Sequence, residues 1–263
     1  ELKDPIWKEL PQNFENLRTT YLYNNYGPIF NNLNHYIGTS GIKKTDIALS
    51  AGFDRSKAAS VRYKLTKFIH DQNYLPTNTV YIVDNLGHLK QMKHFLKNSN
   101  VGFFYRDNFW LALPSRKETM SKEDQENLSN IKFDSLKINK KYEFNFKERE
   151  KYLGFGWSHN FNKKGVWSEG ELSFILLNIQ LSENEEKNFN LDLKPYQRNA
   201  NEDFSLTIYF NDIEKKKIKF YNNKNNQIIT FKIIKSELKE NNIIKFKFNN
   251  LISPFEILES PDG

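Results

Sequence analysis

Residues 204–220 read FSLTIYFNDIEKKKIKF. Before the Asn-Asp pair, every second residue is Phe, Leu or Ile, and Ile218 and Phe220 resume the alternation after it. Because successive side chains of a β-strand point to opposite faces, this pattern predicts strands with one buried face. Similar runs recur from Ile131 onward, separated by turns of Asn, Asp and Lys. We therefore predict an all-β antiparallel sandwich over residues 131–263, with a jelly roll as its leading version.

The first 120 residues have a different pattern, in which short apolar runs alternate with segments of helical spacing. Strands are predicted at 79–83, 101–105 and 109–113, and helices at 28–37, 55–70 and 86–96. Strands that alternate with helices favour a mainly parallel sheet covered on both faces. We therefore predict a three-layer, Rossmann-like α/β domain over residues 1–120. The charged stretch 121–130 is predicted to be a linker between the two domains, with room for one helical turn after Ser121.

The composition excludes several classes of function. The chain has no cysteine, which removes disulfides and thiolate chemistry. No apolar run approaches the roughly 18 residues of a membrane span, so we expect membrane contact only through missing parts of a parent protein. The formal charge is +7, yet residues 1–135 hold 18 basic against 14 acidic residues and the rest holds 21 against 18. Since the excess is spread evenly, no nucleic-acid partner is predicted.

The ends of the chain and its histidines allow three further expectations. The sequence begins abruptly at Glu1 and stops abruptly at Gly263, so we expect an excised fragment. His159 has no second histidine nearby, so no metal site is predicted, and no cofactor is predicted either.

Several polar residues follow the predicted strands of the first domain, where α/β sheets bind their ligands. Asp84 and His88 lie four residues apart across a strand-to-helix turn, and Arg55 follows an earlier strand. A hydrolase or group transferase would use such residues as catalytic groups. However, the sequence lacks the glycine-flanked serine elbow of many hydrolases. The alternative is that Asp84 and Asn85 cap the helix that follows them.

Two Trp-Ser pairs begin at Trp157 and Trp167, each beside glycines. They predict a hairpin that presents indoles near His159 and Glu169. Indole faces stack on the C–H faces of sugar rings, while neighbouring polar groups bind the hydroxyls. We therefore predict that these four residues bind a saccharide. The alternative is that the tryptophans are buried at the end of the sandwich, with Glu169 capping backbone amides.

With these motifs, the chain resembles the extramembrane tails of large bacterial sugar transferases from capsule and lipopolysaccharide pathways. That group carries Gly-Trp-Ser, usually followed by Pro-Glu, then Gly-x-Trp-Ser-x-Gly, and finally Ser-Pro-x-Glu before Asp-x-Arg. The corresponding residues here are 156–158, 165–170 and 253–256 with Asp262, although His159-Asn160 stands in place of Pro-Glu. The first half is similar at Asp4-Pro5-Ile6-Trp7, Arg55, Val80-Tyr81 and Asp107 to Trp110.

The resemblance implies an accessory region attached to a sugar transferase whose catalytic region lies outside these residues. Such a region would bind a saccharide, a lipid-linked glycan or a partner protein. The resemblance also implies the bacterial cell envelope, on its periplasmic rather than its cytoplasmic side. Two alternatives stay open, namely a hydrolase or group transferase that acts on surface glycan through the first domain, and a structural or oligomerisation module.

Overall fold

A computed structural model describes residues 35–38, 70, 79–83, 85–106, 109–144, 148, 151–162, 165–168, 171–182, 185–194, 204–220 and 226–249. The chain divides into two compact units, of which the first contains Glu1–Lys132 and the second Phe133–Pro261.

The described part of the first unit contains a four-stranded sheet and two helices. The sheet has the strand order β1-β2-β4-β3. The elements are β1 (His35–Gly38), β2 (Thr79–Val83), α1 (Leu86–Phe95), β3 (Val101–Arg106), β4 (Phe109–Pro114) and α2 (Lys122–Ser129). Strands β1 and β2 pair in parallel, whereas β4 is antiparallel to both of its neighbours.

The predicted three-layer, Rossmann-like domain is wrong, because the described sheet is mixed and mostly antiparallel. Strand β4 lies between β2 and β3, and its connection to β3 consists only of Asp107 and Asn108. A parallel partner requires a crossover of about a dozen or more residues, so this short connection forces the chain back as a hairpin. The helix predicted over 28–37 is also wrong at its end, since His35–Gly38 forms β1.

Helix α2 occupies the segment that was predicted to be a linker, and polar contacts fix both of its ends. Ser121 caps the helix, because its hydroxyl accepts a hydrogen bond from the backbone N of Asp124 at 3.0 Å. The buried Asp124 carboxylate in turn accepts the backbone N–H of Tyr105 in β3 at 2.9 Å. At the other end, Lys93 Nζ donates to the carbonyl of Leu128 at 2.7 Å. The helix is thus held by the first unit although it contributes few apolar side chains.

Replacing Asp124 by alanine should lower the free energy of unfolding of the first unit by about 2 kcal/mol, because the Tyr105 amide loses its acceptor. Urea unfolding measures the cost, and hydrogen exchange at the Tyr105 amide should accelerate. Glu123→Ala is the matched control, since Glu123 is exposed in the same helical turn. The control should change stability by less than about 0.5 kcal/mol. Equal losses in the two variants would contradict this role of Asp124.

The described part of the second unit consists mainly of antiparallel strands. One sheet has the order β10-β9-β12-β7, a second pairs β11 with β8, and a hairpin pairs β5 with β6. The strands are β5 (Trp157–Asn162), β6 (Gly165–Ser168), β7 (Leu172–Leu177), β8 (Glu186–Leu193), β9 (Phe204–Phe210), β10 (Ile213–Phe220), β11 (Gln227–Ile234) and β12 (Asn242–Asn249).

The two larger sheets bury one common core. Ile208 of β9 and Phe246 of β12 belong to the same buried cluster as Leu191 of β8 and Phe231 of β11. Two sheets that share a core in this way form a sandwich. The eight described strands of the second unit form sheets of four, two and two, so among the described residues they do not make the two four-stranded sheets of the predicted jelly roll.

A two-residue turn at Asn211 and Asp212 joins β9 to β10. Both residues have positive φ angles, 49° and 71°, as a type I′ hairpin turn requires. The buried Asn211 side chain also accepts the backbone N–H of Ile243 at 2.9 Å and donates to Asn242 Oδ1 and to the carbonyl of Glu237, each at 2.8 Å. One amide therefore connects the hairpin to β12 and to the short 3₁₀ turn (Lys235–Glu237) that precedes it.

Replacing Asn211 by alanine should lower the free energy of unfolding of the second unit by about 3 kcal/mol. The variant loses the side-chain hydrogen bonds. It also places alanine at a positive φ angle, which glycine and asparagine tolerate better than alanine does. Asn211→Gly loses the same bonds but accepts the backbone conformation, so it should cost about 1 kcal/mol less than alanine. Denaturant unfolding of the two variants separates the contributions, and an alanine variant as stable as the original chain would refute both.

Candidate functional site

The segment before β5 lies against β7 and sets the position of the first tryptophan. The backbone N–H of Gly154 donates to the carbonyl of Phe174 at 2.9 Å, and the N–H of Phe174 donates to the carbonyl of Phe155 at 3.1 Å. Gly156 has a φ of +89°, and a Cβ at this position would lie 1.9 Å from the carbonyl oxygen of Leu172. Only glycine permits this approach, which explains the glycine of the Gly-Trp-Ser motif.

Trp157 is a core residue that anchors the hairpin of β5 and β6. Its side chain is 8% exposed, and its indole Nε1–H donates to the carbonyl of Phe174 at 2.7 Å. The ring packs edge-on against Phe246, with the centroids 5.4 Å apart. Because the surrounding core covers the indole, it offers no stacking face to a saccharide in this conformation. Trp157 is therefore a buried tryptophan, as the alternative interpretation of the sequence had it, and not the predicted saccharide contact.

Trp167 lies on the opposite side of the same hairpin and is 45% exposed. Its neighbour Val166 packs against the core, and Ser168 pairs with Trp157 in the register of the two strands. Since side chains alternate along a strand, Trp167 points away from the core. The two Trp-Ser motifs thus have different roles, one in packing and one at the surface.

The strand opposite Trp167 contains a β-bulge. Trp157 pairs with Ser168 and Phe161 with Val166, so the three residues 158–160 of β5 face the single residue Trp167. Bulges of this kind redirect side chains and often occur beside functional sites. The register therefore leaves three residues of β5, His159 among them, between the two pairs that flank Trp167. Glu169, the fourth predicted saccharide ligand, lies outside the described residues.

Of the three catalytic residues predicted in the first unit, the structure describes His88. His88 is 3% exposed within α1, beside the buried side chain of Leu89. Its backbone N–H donates to the side-chain oxygen of Asn85 at 3.1 Å, so the helix cap predicted at Asn85 is confirmed. Asp84 and Arg55 lie outside the described residues.

Within the part of the chain that the structure describes, no group of three or more His, Asp or Glu side chains is arranged to hold a metal ion. Across the same residues, neither the length nor the hydropathy of any helix suffices to cross a membrane. No family model matches this chain, and no curated protein matches it either.

Replacing Trp157 by phenylalanine should lower the free energy of unfolding by about 2 kcal/mol, because it removes the buried indole donor and leaves a gap in the core. The matched variant Trp167→Phe changes the same residue type on the exposed side and should alter stability by less than about 0.5 kcal/mol. Equilibrium unfolding in urea measures both. If the two variants lost equal stability, the assignment of one tryptophan to the core and the other to the surface would fail.

Proposed function

We propose that this chain is a non-catalytic, glycan-binding module of a bacterial cell-surface polysaccharide sugar transferase, acting on the periplasmic side of the envelope. Its partner is a saccharide or a lipid-linked glycan. The contact is made by the indole surface, which we define as the exposed ring of Trp167 on strand β6. The observation that carries the proposal is the 45% exposure of Trp167 on a hairpin whose other tryptophan is buried.

An indole at a surface has a cost that ligand binding can offset. Burying a large apolar side chain contributes about 1.5–3 kcal/mol, and Trp167 forgoes part of this gain in the unbound chain. A sugar ring presents a C–H face of similar size to an indole, so stacking would cover the exposed ring. The sequence also supplies Ser158, His159 and Asn160 in the strand that pairs with β6, and these residue types bind hydroxyl groups. An exposed flat apolar face in a segment of such composition supports a saccharide ligand.

The anchoring of the hairpin supports the proposal in a second way. The buried bond between Trp157 and the carbonyl of Phe174 limits the movement of β5 relative to β7. Trp167 lies on the paired strand β6, so its backbone is held in place before a ligand arrives. A site that is ordered in advance loses less conformational entropy on binding.

Trp167→Ala should weaken binding of the preferred oligosaccharide by about tenfold or more, because the stacking face is lost. Trp167→Tyr should retain part of the affinity, since a smaller aromatic face remains. Ile228→Ala is the control, because it removes a side chain that is 74% exposed on β11. Isothermal titration calorimetry against a panel of neutral and acidic oligosaccharides provides the measurement.

The panel also gives the results that would overturn the proposal. One is a correctly folded chain that binds no saccharide of the panel. Another is a Trp167→Ala variant that binds as tightly as the original chain, or an Ile228→Ala variant that loses as much affinity.

A further inference from the structure

The outer face of the four-stranded sheet carries a cluster of lysines. The register of β10, β9 and β12 aligns Lys217 with Thr207 and Lys247, and it aligns Lys219 with Ser205 in the next row. The residues that alternate with these lysines belong to the core or pack against it, so the lysines point to the opposite side of the sheet. We call Lys217, Lys219 and Lys247 the lysine face.

The register also places one exposed carboxylate, that of Glu214 opposite Tyr209, on the side of the lysine face. All three lysine side chains are exposed, and none of the ion pairs among the described residues includes them. Lys245 lies on the same side of β12 but pairs with Asp212 at 3.1 Å. Adjacent strands are about 4.8 Å apart, so Lys217 and Lys247 stand about 10 Å from each other, and Lys219 follows Lys217 by about 7 Å. The face therefore presents separated cations to one extended ligand.

Protection of a sheet edge accounts for only part of this arrangement. Strand β10 is at the edge of the four-stranded sheet, and lysines on edge strands prevent pairing with other chains. Lys217 and Lys219 fit that role. Lys247 does not, because β12 is paired on both sides, with β9 and with β7.

We infer that the lysine face binds an anionic polysaccharide whose repeating units carry carboxylates. The inference rests on the proposed function, binding of a surface glycan, and adds the charge class of that glycan. Carboxylates spaced along an extended chain complement cations that are separated in the same way. Ser205 and Asn249, which lie beside Lys219 in the register, supply a hydroxyl and an amide for sugar hydroxyls.

Two other polyanions fit the lysine face less well. Single-stranded nucleic acid is held by bases stacked on aromatic rings, whereas the ring of Tyr209 on this side is covered by Lys245 Nζ, 4.7 Å from its centroid. Anionic bilayers are recognised by clusters of about four to eight basic residues, often with inserted apolar side chains. The lysine face has three free cations, and no exposed large apolar side chain of the described residues lies among them. Both polyanions are included in the test as competing ligands.

The test uses the full chain and oligogalacturonate, an oligomer of a uronic acid, with its neutral methyl ester for comparison. The triple variant Lys217→Gln, Lys219→Gln, Lys247→Gln should bind the acid at least about tenfold more weakly and with a smaller dependence on salt. The control variant Lys137→Gln, Lys194→Gln, Lys235→Gln removes three exposed lysines elsewhere in the second unit. It has the same net charge and should stay within about twofold of the original affinity. Urea unfolding checks that both variants fold.

Several results would overturn the inference. One is an unchanged affinity in the first variant, and another is an equal loss in both, which would indicate general attraction by net charge. Tighter binding of phosphatidylglycerol vesicles or of an oligonucleotide than of oligogalacturonate would also overturn it. If Trp167→Ala abolishes saccharide binding while the methyl ester binds as well as the acid, the proposed function survives and the inference fails. If the original chain binds no saccharide of either kind, both fail.

Discussion

The hydrogen bond from the indole of Trp157 to the carbonyl of Phe174 determines where the β5–β6 hairpin lies on the sandwich. The same carbonyl accepts the backbone N–H of Gly154, so one oxygen of β7 receives both the segment before β5 and the indole that begins it. A buried indole without an acceptor would cost about 1–3 kcal/mol, which strongly favours this one arrangement. The position of Trp167 on the outer side follows from this contact, because the register of the hairpin joins the two strands.

Hydrophobic periodicity predicts where the strands lie in the sequence. It does not predict the order in which they pair in a sheet. Alternation within residues 204–220 predicts two strands, and β9 and β10 lie there, since a sheet with one buried face requires a period of two. The bounds of β2 and α1 also agree closely with those predicted. The place of β4 between β2 and β3 is different, because it depends on a short connection and on contacts between distant residues. Reading alternating strands and helices as a parallel sheet therefore failed.

The candidate site was predictable as a hairpin but not in the roles of its two tryptophans, because both precede a serine and follow a glycine within two residues. For Trp167 a local signal exists, since an inward Val166 directs the next side chain outward. The burial of Trp157 depends instead on how closely Gly156 approaches Leu172, which no local pattern records. The same limit applies to helix α2, whose attachment to β3 comes from one carboxylate rather than from apolar periodicity. It applies equally to the lysine face, because its three lysines are brought together by the order of the strands in the sheet.

The place of β12 within its sheet has a consequence for how the second unit is made. It is the last strand in the sequence that the structure describes, yet it pairs with both β7 and β9. During synthesis, these two strands emerge from the ribosome before the partner that joins them. The edges of β7 and β9 that pair with β12 stay open until residues 242–249 are made, and contacts between such distant segments form slowly. A nascent chain that ends before this strand is thus a target for chaperones or aggregation rather than a smaller version of the sandwich.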